Sequence, residues 1–456
     1  MRLPRQPMNP FERRAVAGLA GIYATRMLGL FLVLPILANS THSLPGYSGF
    51  MVGLALGIYG LTQAVFQVPL GVASDYLGRK PVIFAGLVIF ALGSVVAAMA
   101  DTMEGIILGR ALQGMGAIAA AVLALAADLT RDEQRTKAMA TIGITIGASF
   151  IVAMPMGPLL WSAIGLSGIF WFIAALAVLG MVVLVFVIPT PVHTPQKREL
   201  SVVRRQFVEV LQDKKLLRLD AGIFILHSVM TAMFVVVPLA LVKYGELAAD
   251  DHWQLYAPVM LLSILGMVPM IILAERRQMM RSMFVIAVLM LTIAQAILYT
   301  RHQSLAGLVA GVFVFFVAFN FLEASLPSLL SRMAPTAGRG AAVGVYSSFQ
   351  FLGAFTGGVI GGWVFNRYGI GSVFVFCTLG LLAWFVIALG MPRLEQLVTR
   401  TIKVNVANEA AASALAEELA RIAGVREAVV ILEQATAYIK VDESRLDEAA
   451  LARYQA

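Results

Sequence analysis

Long stretches without a single Asp, Glu, Lys or Arg set the rhythm of this chain: 27–74, 81–100, 138–196, 221–242, 252–274, 282–300, 340–366 and 368–392. A helix that crosses a bilayer takes about 20 apolar residues, so the two longest runs hold two helices each. Turn-forming stretches at Ser43–Ser48 and Gly165–Gly168 divide them. The pattern predicts about 12 spans, at 15–37, 50–73, 81–100, 105–127, 138–161, 168–188, 219–242, 254–274, 282–300, 304–331, 340–364 and 371–391. From Thr401 the pattern changes. "TIKVNV" alternates as a strand does, Glu409–Ala423 has helical spacing, "EAVVIL" and "AYIKV" are two further strands, and Arg445–Tyr454 is a helix with Ser444 as its cap.

Composition agrees with this reading. Hydrophobic residues make up 59% of the 456, charged residues only 13%, and mean hydropathy is +0.84, which excludes an ordinary soluble domain. Lys and Arg fall on one side of the predicted spans. The side of the N-terminus carries Arg13, Arg14, Arg79, Lys80, Arg131, Arg135, Lys137 and the basic stretch 197–218, against Lys243, Arg301 and Arg367 in the opposite loops. The positive-inside rule then predicts a multi-pass protein of the inner (plasma) membrane with both termini cytoplasmic. The same asymmetry explains the net charge of +8, so no nucleic-acid partner is expected. The lone Cys377 forms no intrachain disulfide, and no metal-binding cysteine pair exists.

An internal repeat organises the spans. "MLGLFLVLP" (27–35) lines up with "MTAMFVVVP" (230–238), "VPLGVASD" ending at Asp75 with "VPMIILAE" ending at Glu275, and Asp128–Arg135 with Arg332–Arg339. All three pairs keep the same order at an offset of roughly 200 residues, as in two parallel six-helix halves. The expected organisation is an N-terminal half (1–190), a cytoplasmic amphipathic linker (191–218), a C-terminal half (219–392) and a cytoplasmic βαββα domain (398–456). That makes an all-α membrane protein with a small α/β domain, embedded in the lipid bilayer.

The stretch "GVASDYLGRK" supplies Gly71, Asp75, Gly78, Arg79 and Lys80, matching the loop motif G-x-x-x-D-x-x-G-R-K in full. Arg110, Gly114, Gly116 and Ala117 match R-x-x-x-G-x-G-A, and Leu28, Gly29 and Pro35 match the first-span pattern. On these residues the chain resembles the major facilitator superfamily, in its twelve-helix drug:proton antiporter-like branch, over residues 12–392. The tail resembles a ferredoxin-like, YAM-type module without the paired cysteines of metal-carrying relatives. The resemblance implies alternating access between two halves. It also implies a gating latch in which Asp75 and Arg79 meet Asp128 and Arg135, and a role for Arg110 in assisting proton transfer. In the fifth span Ala148 stands where antiporters of the branch carry proline, and Gly157-Pro158 follows later.

The repeat also separates scaffold from site. Pro35 with Pro238, and Pro69 with Pro269, recur in both halves and are expected to kink the spans, as is Pro158. Charges found in one half only are candidates for substrate and proton: Arg26, Arg110 and Glu323. Each costs at least about 2.5 kcal/mol in lipid, so each should face a cavity or a partner. A carboxyl group as deep as Glu323 can exchange protons in the physiological range, as proton coupling requires. Arg26 is either its ion-pair partner or an anion-binding group. His227 is a further titratable candidate, although a hydrogen-bonded structural role fits it too.

No constellation of an enzyme appears within the spans, and no cofactor is expected beyond the proton as coupling ion. The expected function is proton-coupled export of amphipathic or cationic small molecules. The alternatives are a metabolite or sugar carrier of the same fold, and a membrane sensor signalling through the tail. The sequence leaves the oligomeric state open, and self-association of the C-terminal domain fits its position after the last span.

Overall fold

The computed structural model describes residues 7–190, 207–334, 339–391, 397–404, 406, 408–431, 436–442 and 445–454. The chain forms two compact units, Met1–Met391 and Pro392–Ala456. In the first unit, eleven helices among the described residues are long and apolar enough to cross a membrane. One of them, Lys137–Val187, runs 51 residues. At 1.5 Å per residue it would extend about 76 Å, more than twice the hydrocarbon thickness. It folds back at Gly165, whose φ of +68° and ψ of 179° suit a residue without a Cβ. Counting it as the fifth and sixth spans gives the twelve expected.

The other spans are Pro10–Leu32 (first), Gly49–Leu77, Arg79–Ala98, Met103–Asp128, Lys214–Lys243 (seventh), Ala249–Arg276, Met280–Arg301, Leu305–Met333, Arg339–Tyr368 and Ile370–Leu389 (twelfth). Three places depart from the sequence expectation. The first span stops at Leu32, because Pro35 cannot donate to the helical ladder, and a turn leads into the short helix Leu37–Ser40. The fourth is two pieces, Met103–Met115 and Ala119–Asp128, interrupted where Gly116 lies against the backbone of Gly86 and Phe90. The seventh begins at Lys214, with Asp213 accepting from the amides of Lys215 and Leu216. Of the expected linker, 191–206 lie outside the described residues, and 207–212 are helical. Pro69, Pro158, Pro238 and Pro269 sit inside their helices, and Pro35 sits between two.

Packing repeats with a period of six spans. The first lies on the fifth as the seventh lies on the eleventh; the third and fourth pair as do the ninth and tenth; the second meets the fourth as the eighth meets the tenth. Across the two halves the second lies on the eleventh and the fifth on the eighth. The side carrying Pro10 is called the near side below. On the opposite, far side, Gly49, Gly53, Gly57 and Gly60 of the second span lie against Phe365, Gly358, Gly362, Phe355 and Phe351 of the eleventh, backbone on backbone. Asn39 Nδ2 also donates to the Pro238 carbonyl, 3.2 Å away, joining the far ends of the first and seventh spans. Near-side Gly143 and Gly147 of the fifth span have no neighbour within 4 Å of a built Cβ. The halves are therefore closed against each other on the far side.

In the second unit, β1 (Leu397–Lys403), β2 (Val425–Ile431) and β3 (Thr436–Asp442) form an antiparallel sheet in the order β1-β3-β2. Ile402, Ala437, Ile439 and Val441 face inward and pack with Leu419 of the helix Glu409–Ala420 and Leu451 of the helix Glu448–Ala452. The element order βαββα is the expected one. The last helix is capped by Asp447, with Ala450 donating at 2.9 Å, and begins later than expected. The reason is that Asp447 donates its amide to Ala423 and Leu446 lies against Gly424, whose φ is +87°, which holds this segment to the turn before β2. The expected cap, Ser444, lies outside the described residues.

Candidate functional site

Three spans bring Glu323, His227 and Gln350 together. Helical spacing aims each inward: His227 is thirteen residues into the seventh span, Gln350 eleven into the eleventh, and Glu323 ten from the near end of the tenth. Gln350 Nε2 donates to Glu323 Oε1 at 3.2 Å and lies 2.9 Å from His227 Nε2. His227 Nδ1 is 3.2 Å from the Ile223 carbonyl, which can only accept, so Nδ1 carries the hydrogen and Nε2 accepts from Gln350. The Gln350 amide thus gives one hydrogen to the carboxylate and the other to the imidazole. Glu323 Oε2 stays free of hydrogen bonds, 3.8 Å from His227 Nε2. The Glu323 side chain is 28% exposed and His227 is buried. The trio therefore offers two proton acceptors, and the free carboxylate oxygen of Glu323 is itself buried.

An aromatic wall adjoins it. Phe319 lies 5.9 Å from the His227 ring and stacks on Phe315, and Phe150 of the fifth span meets both Phe316 and Phe319, at 5.8 and 5.5 Å. This wall spans both halves. Asn320 donates to Ser263 of the eighth span rather than to Glu323.

Arg26 does not reach Glu323. Its Nη2 donates to the Tyr59 hydroxyl at 3.0 Å and to Gln63, all inside the N-terminal half. Arg110 lies 4.9 Å over the same Tyr59 ring, donates to Gln113 Oε1 at 2.8 Å, and Gln113 in turn donates to Ser94. Among the described residues neither guanidinium meets a carboxylate, and Arg26 Nε and Nη1 and Arg110 Nη2 make no hydrogen bond. Two buried cations held only by neutral groups make this half positive.

Gln350, Tyr59, Gln63 and Gln113 were not singled out by sequence. The rule that picked Arg26 and Glu323, polarity present in one half and absent at the repeat offset, finds Gln113 and Gln350 once it is extended from charges to amides, whereas Gln63 stands opposite the polar Ser263 and Tyr59 carries no amide.

At the near side the loop motif acts within the N-terminal half. Gly78, at φ +95°, ends the second span and starts the third. Arg79 pairs with Asp75, approaches Asp128 Oδ2 at 3.2 Å and donates to Ser74 at 2.7 Å. Lys80 donates to the Ile188 carbonyl at 2.6 Å, and Arg135 to the Ala127 carbonyl at 3.2 Å. Gly71 packs on Ala120. These bonds tie together the near ends of the second, third, fourth and sixth spans. The C-terminal half has its counterpart at the repeat positions, where Arg332 donates to Glu275 at 2.7 Å and links the tenth span to the eighth. A third link escaped the sequence reading: Arg131 grips buried Glu12 with Nε and Nη2, at 2.8 and 3.0 Å.

This geometry is that of a two-half carrier, and comparison with known proteins agrees. Residues 16–336 match the Major Facilitator Superfamily. The chain belongs to the Major Facilitator Superfamily. It is 44% identical over 435 residues to the inner membrane transport protein YajR of Escherichia coli (strain K12), covering 95% of both chains. It is 25% identical over 360 residues to multidrug resistance protein 1 of Bacillus subtilis (strain 168), covering 78% of this chain and 90% of that one. A bacterial homolog of the human lysosomal transporter Spinster, solved in an inward-facing and occupied conformation, shares the fold with a TM-score of 0.69 at 13% identity, over 84% of this chain and 97% of that chain. This superfamily member is a multi-pass membrane transporter and not an enzyme.

Proposed function

We propose that this Major Facilitator Superfamily transporter is a proton-coupled secondary carrier that exports amphipathic or cationic small molecules across the inner membrane by alternating access. The observation that carries the reading is the meeting of Glu323, Gln350 and His227 beside the wall of Phe150, Phe316 and Phe319. A carboxylate whose side chain is partly exposed beside aromatic faces suits a cation with an apolar body, and a proton and that cation would compete for it. Similarity to a multidrug resistance protein supports the same substrate class. With the near side facing the cytoplasm, as the distribution of Lys and Arg predicts, the far-side closure leaves the carrier open inward.

A second reading rests on the unsatisfied guanidinium groups of Arg26 and Arg110, which would favour an anionic metabolite if the N-terminal half opens to the cavity. One assay separates the two. Purified protein in liposomes with a trapped pH dye is given an imposed proton gradient, then a panel of lipophilic cations, sugars and organic acids. A cation should discharge the gradient with wild type and not with Glu323→Gln. Discharge by organic acids alone supports the second reading, and discharge by cations with the variant equal to wild type removes Glu323 from the coupling.

A further inference from the structure

Asp220 is a carboxylate the proposed site does not use. It lies six residues, about 9 Å, into the seventh span from the near side. It is fully buried, and among the described residues neither of its oxygens has a hydrogen-bond partner. A residue kept for stability would be paired, because an isolated buried carboxylate costs several kcal/mol, an amide less, and an apolar side chain of similar size nothing of the kind.

The eleventh span places a second unpartnered group beside it. The seventh and eleventh spans run parallel in a fixed register, with Gly353 on Phe224, Gly357 on Ser228 and Gly361 on Ala232, so residues 129 apart are level. One turn earlier the same offset puts Asp220 level with Phe349, between Tyr346 and Gln350. Tyr346 is buried, its hydroxyl makes no hydrogen bond among the described residues, and it lies within electrostatic reach of both Asp220 and Glu323. Glu323 Oε2 is likewise free. By this register Tyr346 starts just under one turn nearer the near side than Asp220, and Gln350, which holds Glu323, lies level with Asp220, so three unpartnered oxygens gather where these spans meet. No other charge competes for Asp220 from the twelfth span, which also packs on the seventh: it contains no charged residue, and its Cys377 thiol faces Val229, over two turns further in.

We propose that Asp220 and Tyr346 form a proton relay between the near side of the membrane and Glu323. The relay rests on the proton-coupled reading above. In the transfer, protonated Asp220 gives its hydrogen to a lone pair of the Tyr346 oxygen while Tyr346 gives its own hydrogen to the Glu323 carboxylate. The phenol ends unchanged, Asp220 has lost one proton and Glu323 has gained it. Neither carboxylate is hydrogen-bonded to Tyr346 in this conformation, so the side chain swings to make the contacts, and the relay is broken while the far side is closed. Such a break is what coupling needs, since a permanently connected path would leak protons.

The test extends the liposome assay to Asp220→Asn, Asp220→Glu and Tyr346→Phe, using whichever cation, ethidium or tetraphenylphosphonium, discharges the gradient with wild type. Counterflow of the same cation at equal pH on both sides reads substrate binding and access without net proton movement. Asp220→Asn and Tyr346→Phe should slow discharge by at least about 100-fold, the low end for losing a proton-transfer group, while counterflow stays within about two-fold. Asp220→Glu should restore discharge, and Asp220→Asn should melt no lower than wild type. Discharge unchanged in both Asp220→Asn and Tyr346→Phe, with Glu323→Gln inactive, overturns the relay alone. Counterflow falling as far as discharge makes Asp220 a substrate or folding residue and also overturns it. If neither cation discharges the gradient with wild type, the proton-coupled reading fails and the relay with it.

Discussion

The far-side contact between the second and eleventh spans offers the sharpest test of how this carrier chooses its conformation. A methyl group at Gly53 would run into the carbonyl oxygen of Gly358 and lie 2.9 Å from the Cα of Gly362. Both obstacles are backbone, so no rotamer change relieves them, and ordinary carbon contacts lie near 3.5–4.0 Å. The helices would have to part by on the order of 1 Å, and overpacking of this kind costs about 1–3 kcal/mol. Only the far-side-closed state carries that cost, which shifts the balance toward the far-side-open state by roughly 5- to 150-fold. Gly358→Ala meets the Gly53 carbonyl and the Gly57 amide nitrogen, the latter at 3.0 Å, and should act in the same direction. Gly143→Ala, with open space around its Cβ, is the control. Spin labels on cysteines introduced at Leu44 and Tyr368 would read the far-side distance, because the native Cys377 is buried and escapes labelling. Gly53→Ala should move population from the short to the long distance. An unchanged distribution in both Gly53→Ala and Gly358→Ala would refute the idea that glycine packing sets the resting state.

Two further predictions concern the near side. Arg131→Ala strips buried Glu12 of its cation while the amides of Asn9 and residue 131 still bond the carboxylate, and should lower stability by about 1.5–3 kcal/mol, and adding Glu12→Gln should recover part of it; melting in detergent measures both. Arg79 and Arg332 occupy corresponding links in the two halves but differ in burial, with side chains 12% and 50% exposed. Arg332→Ala should cost under about 1 kcal/mol, the range of exposed pairs, whereas Arg79→Ala loses two carboxylate partners and Ser74 and should cost more by the same melting assay. Equal losses would mean that burial does not separate the two links.

The proposed alternating access would give these links a common logic. The near-side charges link spans within each half, while the far-side glycines let the two halves meet closely. Rigid halves that touch through small residues can rock against each other, and the polar trio at Glu323 lies where the three spans that line the C-terminal half converge.

Span number, the break at Gly165, the two-half repeat and the βαββα order were all legible in the sequence, because hydrophobic runs and glycine turns are local consequences of chain and solvent. The single-half charges were legible for a related reason: a charge in lipid is costly enough that its presence alone marks it. Partnership was decided only by the tertiary structure. Arg26 is bound by Tyr59 and Gln63 instead of Glu323, Glu323 shares an amide with His227, Glu12 finds Arg131 across 119 positions, and Asp220 finds no hydrogen-bond partner among the described residues. Periodicity assigns a face and a depth to each residue. Which face meets which depends on the register between helices far apart in sequence, as with Gly353 on Phe224 or Gly358 on Gly53, and that register is set by close packing of the whole bundle.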